Sequence, residues 1–599
     1  GSMDYERFNF RTNLTAKLGY GLTANVNIGY IKDEKNAPFQ DAWNQIKWMW
    51  FTPPVNRETN EPLTSIYANG NPDYPAYMGA ELNPVINSDS ENGGGYKKNK
   101  SDRTSIQTSL NWDIPFVKGL SAKFMYNYSR YNALYKGWNP AYTLYTYKDE
   151  QYIPKTYMSP STLVQDVHWA TTNGLQLSVN YKRQFGQHTI DVLGLFEQSQ
   201  NRTEYQGAQR YYTFDLDELA AGNNDKTQVI GASFPDIIRR QGYVGRLNYN
   251  FAERYLLELA FRYDGSSMYT GSGQFGLFPG GSVGWRLSEE SFFKSIKALS
   301  FIDNLKLRAS IGRMGDDNVE PYLWMMAFNY PGSDSYMLGD GSLIPGVGVP
   351  QIPNANATWY TSTTKNLGID LSLWNAALTV EFDLFRRDRD GLLANRIVSV
   401  PGTFGATFAK ENINSDMQEG FELVLGHSGK VRDLSYQIRG NFTYTLNRNK
   451  YVESVPSGNS YDNWRNNKNN RNSNILWMYQ ANGQFVSMDE IYNNPVLGGV
   501  YNKYSYLPGD IKYVDYNEDG MIDEWDMQPL MRNNTPIMNF GLTLSGQWKG
   551  LDLSMSFQGA SMFNARMNAS PLQWGGSAWD IFMDRWHKVD ASGNVNSFD

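Results

Sequence analysis

The densest run of metal-type donors in this chain is Asp515-Tyr-Asn-Glu-Asp-Gly-Met-Ile-Asp-Glu-Trp-Asp526. Against the calcium-loop pattern it places side-chain oxygens at positions one, three and five (Asp515, Asn517, Asp519) and a glycine at the sharp turn (Gly520). The Met521 carbonyl falls at position seven, Asp523 at nine and Asp526 at twelve. Acidic groups packed so closely repel one another unless a cation neutralises them. The spacing therefore predicts convergence on calcium, ahead of magnesium because of the ligand number. The twelfth residue is Asp, with a shorter reach than Glu, and no helical pattern flanks the run, so the scaffold would be β. The plain alternative is a solvated acidic turn.

Other candidate chemistry is thin. Gly271-Ser-Gly-Gln-Phe-Gly276 fits a dinucleotide fingerprint, but a strand pattern follows it and no helix does. Gly280-Gly-Ser-Val-Gly284 fits a nucleophile elbow and likewise runs on into strand residues. The four histidines (His168, His188, His427, His587) are scattered without zinc spacing, and no catalytic set assembles. A cysteine count of zero excludes a disulfide scaffold and a thiolate metal site, and a net charge of −7 gives no basic footprint for nucleic acid. Trp138, Tyr142, Tyr145, His168 and Trp169 lie in or beside one long segment and could stack on sugar rings. Their alternative role is packing between loops or in an interfacial girdle.

The elements that must position these groups are strands. In Tyr255, Leu257, Leu259, Phe261, Tyr263 the bulky apolar residues share one phase, and Glu258, Ala260, Arg262, Asp264 the other. The same period of two runs through Leu120–Tyr128, Leu378–Leu384 and Leu551–Phe557. About sixteen such runs follow in meander order, from Phe8–Leu18 to Leu551–Phe563. Reversals alternate between tight and long over almost the whole chain. The bulkiest tight-side connection is Ser288–Ile296, read as a short helix, and another short helix is expected at Asp41–Trp50. Soluble sandwiches would need boundaries and crossings that this chain lacks. No apolar run is long enough for a spanning helix, whereas barrel strands need only about 9–11 residues, half of them apolar. Aromatic residues at 15% suit the girdles of a barrel wall. The pattern predicts an all-β, large antiparallel transmembrane barrel, with short periplasmic turns and long extracellular loops. Leu257, Leu259, Phe261, Val380, Phe382, Leu553 and Met555 should face lipid; Glu258, Arg262, Asp264, Glu381, Asp552 and Asn127 should face the lumen.

Within that pattern several segments are specific. Tyr243-Val-Gly-Arg-Leu-Asn-Tyr-Asn-Phe through Tyr263-Asp-Gly-Ser-Ser267, Phe278-Pro-Gly-Gly-Ser-Val-Gly-Trp-Arg-Leu-Ser-Glu-Glu290 and Leu305-Lys-Leu-Arg-Ala-Ser-Ile-Gly312 resemble the SusC/RagA family of TonB-dependent transporters. Asn366-Leu-Gly-Ile-Asp370 and Pro508-Gly-Asp-Ile-Lys-Tyr513, with the acidic loop after it, extend the resemblance. The resemblance implies an outer-membrane importer of Bacteroidota with a 22-stranded barrel, drawing energy through TonB and capped by a SusD-like lipoprotein. On that basis residues 1–599 are expected to be a partial TonB-dependent receptor barrel domain. Residues 449–535 would form a long extracellular loop region carrying the calcium-type loop at 515–526.

The family's plug and TonB-contacting segment have no counterpart here, and Val595-Asn-Ser-Phe-Asp599 does not read as a closing strand. The expectation is a piece of a longer protein, in which Phe8–Leu18 and Leu551–Phe563 are not neighbours. The leading function is import of oligosaccharides. Alternatives are import of oligopeptides by the RagA-like branch, or a passive porin or adhesin barrel; an enzyme is not expected.

Overall fold

The computed structural model describes most of the chain. It leaves out residues 1–2, 41–54, 224–229, 327–335, 347–350, 398–405, 498–504, 531–533 and 565–599, shorter stretches within 57–92 and 338–345, and residues 215, 234 and 474. The helix expected at Asp41–Trp50 lies outside the described residues.

Sixteen long strands form one antiparallel wall: β1 (Asp4–Gly19), β2 (Leu22–Pro38), β3 (Tyr96–Asp113), β4 (Leu120–Asn139), β5 (Ser161–Phe185), β6 (His188–Tyr212), β7 (Asp236–Phe251) and β8 (Tyr255–Ser266), followed by β9 (Phe275–Arg286), β10 (Ile302–Asp316), β11 (Tyr360–Leu373), β12 (Leu378–Ala394), β13 (Glu411–Val431), β14 (Leu434–Tyr451), β15 (Met538–Trp548) and β16 (Leu551–Ser561). Each pairs with the next in sequence order. A short strand, Ile230–Ala232, adds to the far end of β6. Among the described residues no ladder joins β1 to β16, as expected. Unpaired backbone edges cannot face hydrocarbon, so both must be covered in a membrane. No helix among the described residues is long and apolar enough to cross a membrane.

The turn chemistry explains the parity. Tight reversals need backbone conformations that glycine reaches without strain, and Gly21 after β1 sits at φ +81 with its missing Cβ aimed at the Asp113 carbonyl. Gly119, at φ +89, faces the Lys182 carbonyl in the same way. The one bulky connection on this side carries a 3-10 turn, Leu287–Glu289, then α1 (Ser291–Ser295), where the sequence predicts a helix.

Because directly paired residues share a face, the register carries each apolar phase into the next. One row runs Leu110, Phe124, Leu177, Phe196, Tyr243, Tyr263, Leu277 across β3 to β9. Another runs Leu307, Ile369, Phe382, Leu423, Phe442, Phe540 across β10 to β15. A slip of one residue anywhere would turn such a row inside out. Leu257, Leu259, Phe261, Val380, Leu553 and Met555 lie in phase with these rows. Glu258, Arg262, Glu381 and Asp552 lie in the opposite phase.

Strand length is uneven. β15 and β16 have 11 residues each, enough for a bilayer, while β5 and β6 have 25 and stay paired to Ser161–Tyr212. At ~3.4 Å per residue, β5 and β6 extend roughly 80 Å, so much of their length rises beyond any apolar core on the long-loop side.

Candidate functional site

The polar face of the wall is a network of ion pairs and amides. Arg308 on β10 donates from Nε to Asp370 at 2.9 Å, and in a two-pronged fork from Nη1 and Nη2 to Asp383 at 2.6 and 2.7 Å. The fork is open because Gly368 stands between these partners; a Cβ there would strike the guanidinium 2.5 Å away. On β8, Arg262 pairs with Asp264 at 3.0 Å and reaches Glu197 on β6. With Asn127, Gln176 and the edge of Trp359, these groups line a recess of about 260 Å³. The expectation that Arg262, Asp264 and Asn127 share the polar face holds. Its partner Glu197 was not singled out by the sequence, since only the register brings β6 beside β8 across β7.

Above the wall, the segment between β14 and β15 folds on itself. It contains α2 (Ser460–Asn466), capped by the Asn459 side chain, and α3 (Met488–Asn493), capped by Ser487. Two small ribbons pair Leu476–Met478 with Gln528–Leu530, and Ala481–Gln484 with Ile511–Tyr513. The acidic loop docks here through Ile522, which is buried, and through Trp525, whose ring lies 4.5 Å from that of Tyr461 on α2. Burial raises the pKa of the Tyr461 hydroxyl. Glu490 on α3 accepts from Lys512 Nζ at 2.5 Å and from the Val486 amide at 2.8 Å, and the lysine contact, ahead of the amide, holds its carboxyl below the usual range.

The acidic loop brings the residues expected from the sequence, Asp515, Asn517, Asp519, Met521, Asp523 and Asp526, into one turn, with Gly520 at φ +86 where the sharp bend was expected. Their side-chain oxygens nevertheless face the loop's own backbone. Asp526 is fully buried and accepts from the amides of Tyr516 (2.8 Å), Asn517 (3.4 Å) and Asp523 (2.8 Å). Asp515 accepts from Gly520 N at 2.8 Å, Asp519 from Met521 N at 2.9 Å and Asp523 from Trp525 N at 2.8 Å. Among the described residues no three carboxylates or histidines are grouped to hold a metal ion. A carboxylate has two oxygens and about four acceptor sites, and Asp515, Asp519 and Asp523 each accept from a single backbone amide, so the donor set keeps oxygens that a cation would use. Asp515 Oδ1 is one of them, buried without a hydrogen-bond partner.

The aromatic residues divide. Trp138 packs in a buried cluster with Leu163 and Tyr212, its ring edge-on to Tyr212 at 5.1 Å. Tyr142 is buried with Leu144 and Tyr157. Neither offers a face to a sugar, so the packing alternative applies to both. Trp169 pairs with Glu204 and Asn132 and is in phase with Leu175 and Leu177, on the apolar face of the wall. His168, one residue earlier, turns to the other face against Tyr205.

Comparison with known proteins adds the lineage. The family described as TonB dependent receptor-like, beta-barrel matches residues 33–557. TonB-dependent receptor P3 of Formosa agariphila is 26% identical over 421 residues, covering 68% of this chain and 40% of that protein. TonB-dependent receptor SusC of Bacteroides thetaiotaomicron is 27% identical over 398 residues, covering 64% of this chain and 37% of that protein. The chain thus spans about 40% of the length of these relatives. In fold it is similar to a chain of the RagAB peptide importer in its open-open state, with a TM-score of 0.69, 14% identity, and coverage of 94% of this chain and 57% of that one.

Proposed function

The chain belongs to the TonB-dependent receptor β-barrel family, in its SusC/RagA lineage, and from that membership and the two-faced wall we propose that it serves the import of large nutrients across the outer membrane. The observation that carries this reading is the unbroken apolar face over sixteen strands, backed by a face of ion pairs and amides. Such a wall is stable only with lipid on one side and water or protein on the other. It is an outer-membrane barrel wall and not an enzyme.

In the intact receptor, energy would come through TonB and a SusD-like lipoprotein would cover the long-loop side. The nutrient is proposed to be an oligosaccharide, as the resemblance to the SusC/RagA family implies. Oligopeptides are the second reading, favoured by the fold's likeness to a peptide importer. Deleting the gene should abolish growth on one class of oligomer, and TonB depletion should do the same. Growth unaffected by either deletion would refute an energised importer and leave a passive porin or adhesin.

For the acidic loop, a bound divalent cation is a second reading, supported by the partnerless Asp515 oxygen and by the turn that gathers the carboxylates around Gly520. Asp519 and Asp523 would keep the amides they accept from and offer their remaining lone pairs. Calcium titration followed by calorimetry and loop exchange tests it: heat and slowed exchange support a cation, while neither supports a self-capped turn.

A further inference from the structure

Where the wall meets the long segment after β14, a pocket of about 880 Å³ opens, and its lining is unusual for this protein. The chain as a whole carries 61 acidic against 54 basic residues, yet the pocket is lined by three cations and no carboxylate. The cations are Arg465, Lys468 and Arg471. Six asparagines, among them Asn449, Asn466 and Asn467, supply amides, and Trp477 supplies an aromatic wall. Asn449 lies on β14 in the same phase as Thr443, which pairs with Glu422 on the polar face. The pocket therefore stands at the lumen side of the extracellular mouth, on the route a nutrient would take.

The cations are differently committed. Arg465 is held by Glu524, through the carbonyl at 3.1 Å and the carboxylate at 3.4 Å, and lies over the Trp477 ring at 5.8 Å. Arg471 lies over the Trp464 ring at 5.5 Å, which fixes its guanidinium without neutralising it. Among the described residues neither Lys468 nor Arg471 has a carboxylate partner. Asn466 already donates to Ser457 Oγ and Asn467 already accepts from the Asn469 amide, so the Asn466 oxygen, the Asn467 nitrogen and Asn449 are the amide groups that, beside two uncompensated cations, match a ligand that is anionic and also bears hydroxyls. A neutral glucan would leave the charges unanswered. An acidic peptide would answer the charges and pair its backbone with the amides, but the aromatic wall of Trp477 favours the C–H face of a sugar ring.

We propose that this pocket binds an acidic oligosaccharide, bearing carboxylate or sulfate groups, a reading that rests on the importer function and names its cargo class. Lys468 and Arg471 take the anionic groups, and the asparagines take the neighbouring hydroxyls.

The test uses the intact receptor in detergent and calorimetric titration with an oligogalacturonate, a chondroitin sulfate oligomer, a maltooligosaccharide and a poly-Asp peptide. At least one acidic sugar should bind at least about tenfold more tightly than the maltooligosaccharide and the peptide, and added salt should weaken it. A Lys468→Gln/Arg471→Gln variant, altered only in the loop, should lose about tenfold or more in that binding and keep the wild-type heat-modifiable migration of a folded barrel. The proposal is overturned if neither acidic sugar binds, if the neutral sugar or the peptide binds as tightly, or if the double variant binds normally. Failure of the importer reading is separately visible, as nutrient growth that does not depend on the receptor at all. A variant that grows normally on its nutrient and binds acidic sugars normally refutes the pocket alone.

Discussion

Asp526 is the residue on which the acidic loop turns, and replacing it by Ala isolates its contribution. Its carboxylate is fully buried and bridges three backbone amides, two at 2.8 Å and one at 3.4 Å. Removing it leaves two well-bonded donors and one weak one without their charged acceptor in a part-buried setting. Each lost partner of a buried donor costs roughly 1–3 kcal/mol, so the two short bonds alone predict about 2–6 kcal/mol. By contrast Asp519, exposed and accepting from Met521 N and from Asn517 Nδ2, both at 2.9 Å, loses only solvent-facing bonds and should cost at most about 1 kcal/mol. The penalty is local, because the loop is joined to the wall by long connections and not by the ladder. Hydrogen exchange read by mass spectrometry on peptides covering 515–530 gives the answer directly. Asp526→Ala should speed exchange there by roughly thirtyfold or more, since ~1.4 kcal/mol is tenfold, and Asp519→Ala by less than tenfold. Wall strands should exchange as before. Equal effects of the two variants, or an unchanged loop in Asp526→Ala, would refute the assignment of Asp526 as the central acceptor.

Other outcomes follow from the same geometry. Leu423→Arg, in the middle of the apolar row, should destabilise the barrel in vesicles by about 2–4 kcal/mol in denaturant unfolding, whereas Thr443→Arg on the polar face should have little effect. Arg308→Lys should lower the unfolding midpoint less than Arg308→Ala, which leaves Asp370 and Asp383 facing each other, but should not restore wild type because the fork to Asp383 is lost. Glu490 has a lowered carboxyl pKa, so its contribution to the loop is complete above the ordinary carboxylate range and fades as pH falls through the lowered value. Protection of α3 relative to the intrinsic exchange rate at each pH should therefore hold steady from neutral to mildly acidic pH and fall below about pH 4, and Glu490→Gln should remove that step.

The wall was legible because a membrane imposes period two on every crossing. Runs such as Leu120–Tyr128 and Leu551–Phe557 sit at their expected places and in their expected phases. What the sequence concealed was how far the strands continue. In β5 the alternation is clear only from Leu175, yet the strand starts at Ser161, and in β13 it is clear only over Gly420–Leu425, yet the strand spans Glu411–Val431. Beyond the apolar core both faces meet water or loops, so alternation fades while the backbone ladder goes on. Charge partners across two strands, such as Arg262 with Glu197, depend on register and leave no local trace. The acidic run was visible as chemistry, but whether its oxygens meet a metal or their own amides is decided by loop geometry. Likewise the types of Trp138 and Tyr142 suggested stacking surfaces, and only packing reveals that their faces are already covered. The pocket near β14 draws on residues from Asn449 to Asn564, too far apart for any motif to gather.

The central claim is that one face of the wall meets lipid and the other does not. Because the 599 residues contain no cysteine, a single-cysteine variant places one reporter on a chosen face of the wall. Labelling the intact protein in vesicles at Leu259→Cys, Leu423→Cys and Phe557→Cys should give probes quenched by brominated acyl chains and shielded from a water-soluble quencher. Probes at Glu258→Cys, Glu422→Cys and Asp552→Cys should show the opposite pattern. Quenching by brominated lipid at the second set, or equal quenching at both, would contradict the two-faced barrel wall from which the proposed function is drawn.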